Sequence, residues 1–147
     1  MKYINQTRLT IPCKSINESF ARAAVAAFAA QLDPTIEEIN DIKTAVSEAV
    51  TNAIVHAYPE EMGTIRITVS LFEGGLDVTV RDSGCGITDI KKAMEPLFTT
   101  GGTDRSGLGF TVMGSLMDSI KVSSKEGRGT AVRMRKSIMP RAGVRLG

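Results

Sequence analysis

Apolar residues recur along this chain with two periods, and the switches between them outline its elements. In 3–11, Thr7, Leu9 and Ile11 alternate with Arg8 and Thr10, which predicts a strand ended by Pro12. Ser15-Ile16-Asn17-Glu18 has the S-x-x-E form of a capping box and predicts a helix to about Leu32. Phe20, Ala24, Ala27 and Phe28 are its expected buried stripe, with Glu18 and Arg22 looking outward. After Asp33-Pro34, a second capping box, Thr35 to Glu38, opens the longest helical pattern. Its apolar positions Ile39, Ile42, Val46, Val50, Ala53 and Ala57 fall at three- and four-residue steps. Pro59 to Gly63 ends it.

The period then becomes two. Ile65, Ile67, Val69 and Leu71 alternate with Arg66, Thr68 and Ser70. Across the turn Glu73-Gly74-Gly75, Leu76, Val78 and Val80 alternate with Asp77, Thr79 and Arg81. A short helix over 88–95 is expected to stop at Pro96, and a long polar, glycine-rich stretch follows to Gly107. The next helical stripe is Val112, Met113, Leu116, Met117 and Ile120. Strands over 120–124 and 130–135 close the pattern around a turn at 125–129. The expected fold is α/β, an α+β two-layer sandwich whose mixed sheet carries helices on one face. It forms one domain over 1–136, followed by a basic tail over 137–147 expected to be disordered.

Composition narrows the function. A chain of 147 residues, 42% hydrophobic, suits a single packed domain. Its 18 Lys+Arg against 16 Asp+Glu give a formal net charge of +2, which makes no electrostatic case for nucleic acid. The cations Arg128, Arg133, Arg135, Lys136, Arg141 and Arg145 gather near the C-terminus and read as part of a frayed tail. The two cysteines, Cys13 and Cys85, have neither metal-site spacing nor a disulfide framework, and imply a reducing compartment. The most apolar run, Ala23 to Ala30, is too short to span a bilayer. A soluble, cytoplasmic protein is expected, without membrane or direct nucleic-acid partners.

Four features carry chemistry. Glu48 and Asn52, one helical turn apart, lie on the flank of the apolar stripe beside the small Ala45 and Ala49. Either they form a solvated face, or they aim a carboxylate and an amide oxygen into a pocket. Asp82 has the parity of Leu76, Val78 and Val80, so its carboxylate points into the apolar layer and needs a hydrogen-bonding partner. Gly84 and Gly86 then allow close approach of a ligand, or simply a turn. Last, the glycine-rich stretch enters a helix at Gly107-Leu108-Gly109, where free N–H groups and the positive end of the helix suit phosphate. Thr130 shares the parity of Val132 and Met134, so its hydroxyl is expected to point inward. There is no P-loop, no eukaryotic kinase motif set and no complete G-x-G-x-x-G. The lone His56 reads as a helix-end residue.

Glu48-x-x-x-Asn52, Asp82-x-Gly84-x-Gly86, Pro96-Leu97-Phe98-Thr99-Thr100, Ser106-Gly107-Leu108-Gly109 and Gly129-Thr130 occur in that order. Together they resemble the N, G1, F, G2 and G3 boxes of the GHKL ATPases, with their Bergerat ATP-binding fold. Within that group, Asn17 to Arg22, Ser47 to Ile54 and 96–100 resemble the small stand-alone serine kinases of the anti-sigma F branch. The likeness extends to about Lys136. It implies Glu48 as catalytic base, Asn52 as Mg²⁺ ligand, and Asp82 supported by Thr130 at adenine. It further implies Gly84 and Gly86 along the nucleotide. The lid over ATP would run from Thr99 to Gly109, including Thr100, and Arg105, Ser106, Gly107 and Gly109 would lie near the phosphates. Glu18 and Arg22 would contact partners. The resemblance further implies a homodimer that sequesters sigma F from RNA polymerase and phosphorylates an anti-anti-sigma factor. A general-stress switch kinase acting on another sigma factor, or an ATP-binding domain without transfer activity, are the other readings.

Overall fold

The computed structural model describes residues 2–57, 63–84, 106–125 and 127–139. Five strands form one sheet in the order β1-β2-β3-β5-β4: β1 Asn5–Pro12, β2 Thr64–Phe72, β3 Gly75–Asp82, β4 Ser119–Lys125 and β5 Gly129–Ser137. The helices α1 Asn17–Ala29, α2 Ile36–Asn52 and α3 Ser106–Leu116 cover one face. α1 lies over β1 and β2, α2 over β3, and α3 over β4. β3 and β4 run in the same direction, but β5 lies between them, so every hydrogen-bonded pair is antiparallel. The expected two-layer sandwich forms, with co-directional strands but no parallel ladder among the described residues.

The period-two segments land as read. Ile65, Ile67, Val69, Val78 and Met134 point into the helix layer and are fully buried. α2 also follows its pattern: Thr35 Oγ1 accepts from Glu38 N at 3.0 Å and Glu38 Oε1 accepts from Thr35 N at 2.7 Å, so that capping box is real.

α1 departs in phase. Its buried residues are Ala21, Val25 and Ala29, while Phe20 is 53% exposed and Phe28 only half-buried. Small side chains against the sheet let the helix sit close, so the bulky phenylalanines are displaced to its flanks. The Ser15–Glu18 capping box does not form; Ile16 caps α1 without a side-chain bond. Glu18 and Arg22 are half-buried rather than outward, and their charges stand 3.6 Å apart. The helix also tightens into a 3₁₀ turn over Ala30–Leu32 before Asp33, whose φ is 51°.

The last strand runs to Ser137, beyond the expected end at Arg135. Ile138 is buried and its N–H donates to Gly74 O at 2.8 Å. Three of the cations read as tail are therefore structural: Arg133 and Arg135 grip Asp77, and Lys136 is buried, while Arg141 and Arg145 lie outside the described residues. Lys136 Nζ donates to Leu116 O at 2.8 Å, at the end of α3, and reaches Asp41 of α2 at 3.4 Å. Ile120 belongs to β4; of the expected stripe Met113 is buried in α3 and Met117 just past its end, and Phe110 joins them. The expected helix over 88–95 lies outside the described residues, as do Cys85 and 140–147.

Candidate functional site

α2 ends in a single wider, π-type turn, Ala53–Ala57, directly after Asn52. Such turns are uncommon and concentrate at functional sites. The side chains of His56 and Ala57 are outside the described residues. Ala45 and Ala49, expected as a gap beside Glu48 and Asn52, are buried. α3 packs directly on α2. At the contact stands Gly109, in the first turns of α3. A Cβ there would lie 3.1 Å from Asn52 Nδ2, 3.2 Å from Asn52 Oδ1 and 3.2 Å from Glu48 Oε2. Both side chains therefore converge on one backbone point near the N-terminal, positive end of α3.

Asn52 Nδ2 is buried with no hydrogen-bond partner among the described residues, a state shared only by Ser47 Oγ. An orphaned buried amide is costly, by about 1–3 kcal/mol, unless something else engages the group. An Asn side chain presents an oxygen or a nitrogen by a simple flip. A ligand seeking an oxygen, such as Mg²⁺, is thus compatible with this amide, and it needs few protein ligands because it retains water.

Asp82 ends β3, opposite Ile65. It is 9% exposed and faces the helix layer, as its parity predicted. Its Oδ1 accepts from Gly84 N at 2.9 Å and from Thr130 N at 3.3 Å. Burial pushes this carboxyl above the usual carboxylate range, and the two backbone N–H groups only partly offset it. Thr130 supports Asp82 through its main chain; its hydroxyl instead pairs with Ser124 Oγ at 2.8 Å. Gly129 is required: at φ +110° its missing Cβ would collide with Asp82 O and lie 2.7 Å from Ser83 Cα. The β5 backbone can approach Asp82 only at a glycine.

Cys13 also borders this corner, which the sequence reading did not find. Its Sγ donates to Ala53 O at 3.6 Å, and burial together with Asp82 pushes its thiol upward. The ends of β1, α2 and β3 and the start of β5 thus meet around one buried carboxylate. No sequence signal pointed to Cys13, because the contact joins segments forty residues apart.

Among the expected site residues, Glu48, Asn52 and Gly109 come together, as do Asp82, Gly84 and Thr130. Ser106 and Gly107 open α3, and nothing is described of the Ser106 side chain. Gly86, Thr99, Thr100 and Arg105 lie outside the described residues. Glu18 and Arg22 sit apart, on α1.

The histidine kinase-like ATPase domain family matches residues 14–136. A relative from Caldanaerobacter subterraneus subsp. tengcongensis, "Anti-sigma F factor", is 57% identical over 94% of this chain and 97% of its own. Another of that name, from Clostridium botulinum, is 54% identical over 91% and 95%. Among solved structures, the RsbU and RsbW domains of Rv1364c from Mycobacterium tuberculosis superpose with a TM-score of 0.68. That match has 20% identity and covers 93% of this chain and 33% of that one. The mycobacterial sensor histidine kinase MprB gives 0.57 at 15% identity, covering 92% and 100%. The buried carboxylate at the end of β3 and the Glu–Asn pair under the start of α3 are therefore the framework of a chain that belongs to the histidine kinase-like ATPases, in the group of the anti-sigma F factors.

Proposed function

We propose that this protein is an anti-sigma factor that binds sigma F and keeps it from RNA polymerase. It is also an ATP-dependent serine kinase for its anti-anti-sigma partner, and it works as a homodimer in the cytoplasm. The observation that carries the reading is the convergence of Glu48 and Asn52 on Gly109 at the start of α3, with Asn52 Nδ2 left without a hydrogen-bond partner among the described residues. The 57% identity to an anti-sigma F factor supports it.

Each residue then has a task. Asp82 would accept a hydrogen bond from the adenine amino group, held in place by Gly84 N–H and Thr130 N–H. Gly84 and Gly86 would border the nucleotide. The segment from Thr99, through Thr100, Arg105 and Ser106, to Gly107 and Gly109 would cover the phosphates. The α3 N-terminus would supply N–H groups and positive potential. Mg²⁺, held through the Asn52 amide oxygen, would neutralise phosphate charge. Glu48 would take the proton of the acceptor serine hydroxyl as its oxygen bonds to the γ-phosphorus and the bond to the bridging oxygen breaks, leaving ADP. Glu18 and Arg22, a partly exposed i,i+4 ion pair at 3.6 Å that contributes little to stability, would serve partners.

The test is a labelled-phosphate transfer assay with Mg-ATP and the anti-anti-sigma protein as acceptor, comparing wild type with Glu48→Gln. We expect transfer by wild type alone, with ATP binding retained in the variant. Transfer by Glu48→Gln at the wild-type rate would remove the base assignment. Failure of both to transfer, with ATP bound, would leave a nucleotide-gated binding module.

A further inference from the structure

The sheet face turned away from the helices is built against ordinary pairing rules. In β2 and β3, Arg66 and Arg81 stand directly opposite each other on this face. In β4 and β5, Lys121 and Arg133 do the same. Like charges directly across a ladder repel and destabilise the pair. Arg8 sits in the row of Arg133 and Lys121, linked through Thr68 and Thr79. Neighbouring strands are about 4.8 Å apart, so these five cations make one continuous patch. Arg8, Arg66, Arg81, Lys121 and Arg133 are all exposed.

The only carboxylate in these strand rows is Asp77, and it is consumed: 3% exposed, it receives Arg133 Nη2 at 2.7 Å and both Nε and Nη2 of Arg135. Arg135 also stacks over Phe72, 4.9 Å from the ring centre. Among the described residues no carboxylate meets Arg8, Arg66, Arg81 or Lys121. The formal charge of the whole chain is only +2, so this concentration on one face is not a by-product of a basic protein.

We propose that this open sheet face is a docking surface for an acidic protein segment, separate from the nucleotide site on the opposite layer. A second copy of this chain is disfavoured, because a two-fold interface would set cation against cation. Phe72, within this face, is 6% exposed and covered by Arg135, so it offers no platform for stacking bases, and a duplex held only through its phosphates is the rival outcome of the test. Exposed guanidiniums separated by the hydroxyls of Thr68 and Thr79 suit carboxylates, which accept both.

The probe is a fluorescent poly-glutamate peptide of about twenty residues, followed by anisotropy at low and high salt and compared with a DNA duplex of matched charge. The test variant is Arg66→Thr with Arg81→Thr. The control is Lys14→Thr with Lys43→Thr, in the β1–α1 loop and on α2. Removing two exposed charge contacts should weaken peptide binding about fivefold, and the control by less than twofold. The test variant relieves a repulsive pair and substitutes a good strand former, so its melting temperature should be unchanged or higher. Equal loss in both variants, no peptide binding at low salt, or tighter binding of the duplex than of the peptide would each overturn the proposal.

Discussion

Replacing Gly109 by alanine separates stability from chemistry. A methyl group there would stand 3.1–3.2 Å from Asn52 Nδ2, Asn52 Oδ1 and Glu48 Oε2. Comfortable contact needs about 3.5 Å, so the pair must retreat by roughly 0.3–0.4 Å. Because both atoms of the Asn52 amide are touched, rotation about its last bond gives no relief. A misplacement of about 1 Å can cost about a hundredfold in rate, so a shift of this size predicts transfer slowed by roughly four- to sixfold. Within α3 the same change is favourable: alanine in a helix interior is better than glycine by about 1 kcal/mol. For a chain of this size that is about 2–4 °C in Tm, less the strain of the new contact. Melting curves and the phosphate-transfer assay on one preparation make the comparison. Slower transfer with an unchanged or raised Tm is the expected pair of results. Wild-type transfer with a raised Tm would refute the idea that Glu48 and Asn52 work from the positions that Gly109 sets.

Four further outcomes follow from the same geometry. Lys136→Met keeps the length of the side chain but strands Leu116 O and Asp41, so thermal unfolding should register a loss of about 1–3 kcal/mol. The raised Asp82 carboxyl favours its protonated form when folded. Its contribution is present below the usual carboxylate range and lost as pH rises through the raised value, so Asp82→Asn should flatten that part of the stability–pH curve. Asp77 behaves oppositely: burial would raise its carboxyl, but the Arg135 and Arg133 guanidiniums outweigh this and hold it low. Its stability is present above the usual range and lost as pH falls through the depressed value, and denaturant titrations of Asp77→Asn across acid pH should lack that loss. Finally, Arg22→Glu should leave ATP affinity and Tm near wild type while weakening capture of the sigma factor in a pull-down titration. An unchanged complex would take α1 out of the interface.

The alternation in β2 and β3 was legible because a strand with one face on a core must repeat every two residues, and Asp82 inherited its inward direction from that parity alone. The Thr35–Glu38 box was legible because both bonds are local. The Ser15–Glu18 box has the same letters and failed, since β1 and the turn after Pro12 fix how the chain enters α1. The phase of α1 was decided by which side chains let it sit close to the sheet. Ala21, Val25 and Ala29 do this and Phe20 cannot, although both sets repeat at helical spacing.

What the chain determines locally, then, is its order of elements, the inward carboxylate and the one-turn spacing of Glu48 and Asn52. Tertiary structure alone decides that Gly109 presses on that pair, that the Gly129 backbone fits against Asp82, and that Cys13 joins the corner. It also turns a run of C-terminal cations into a buried Lys136 strut and a grip on Asp77. These contacts join residues far apart in sequence, whose meeting depends on strand order and helix approach. Period and propensity are short-range properties and carry no information about either.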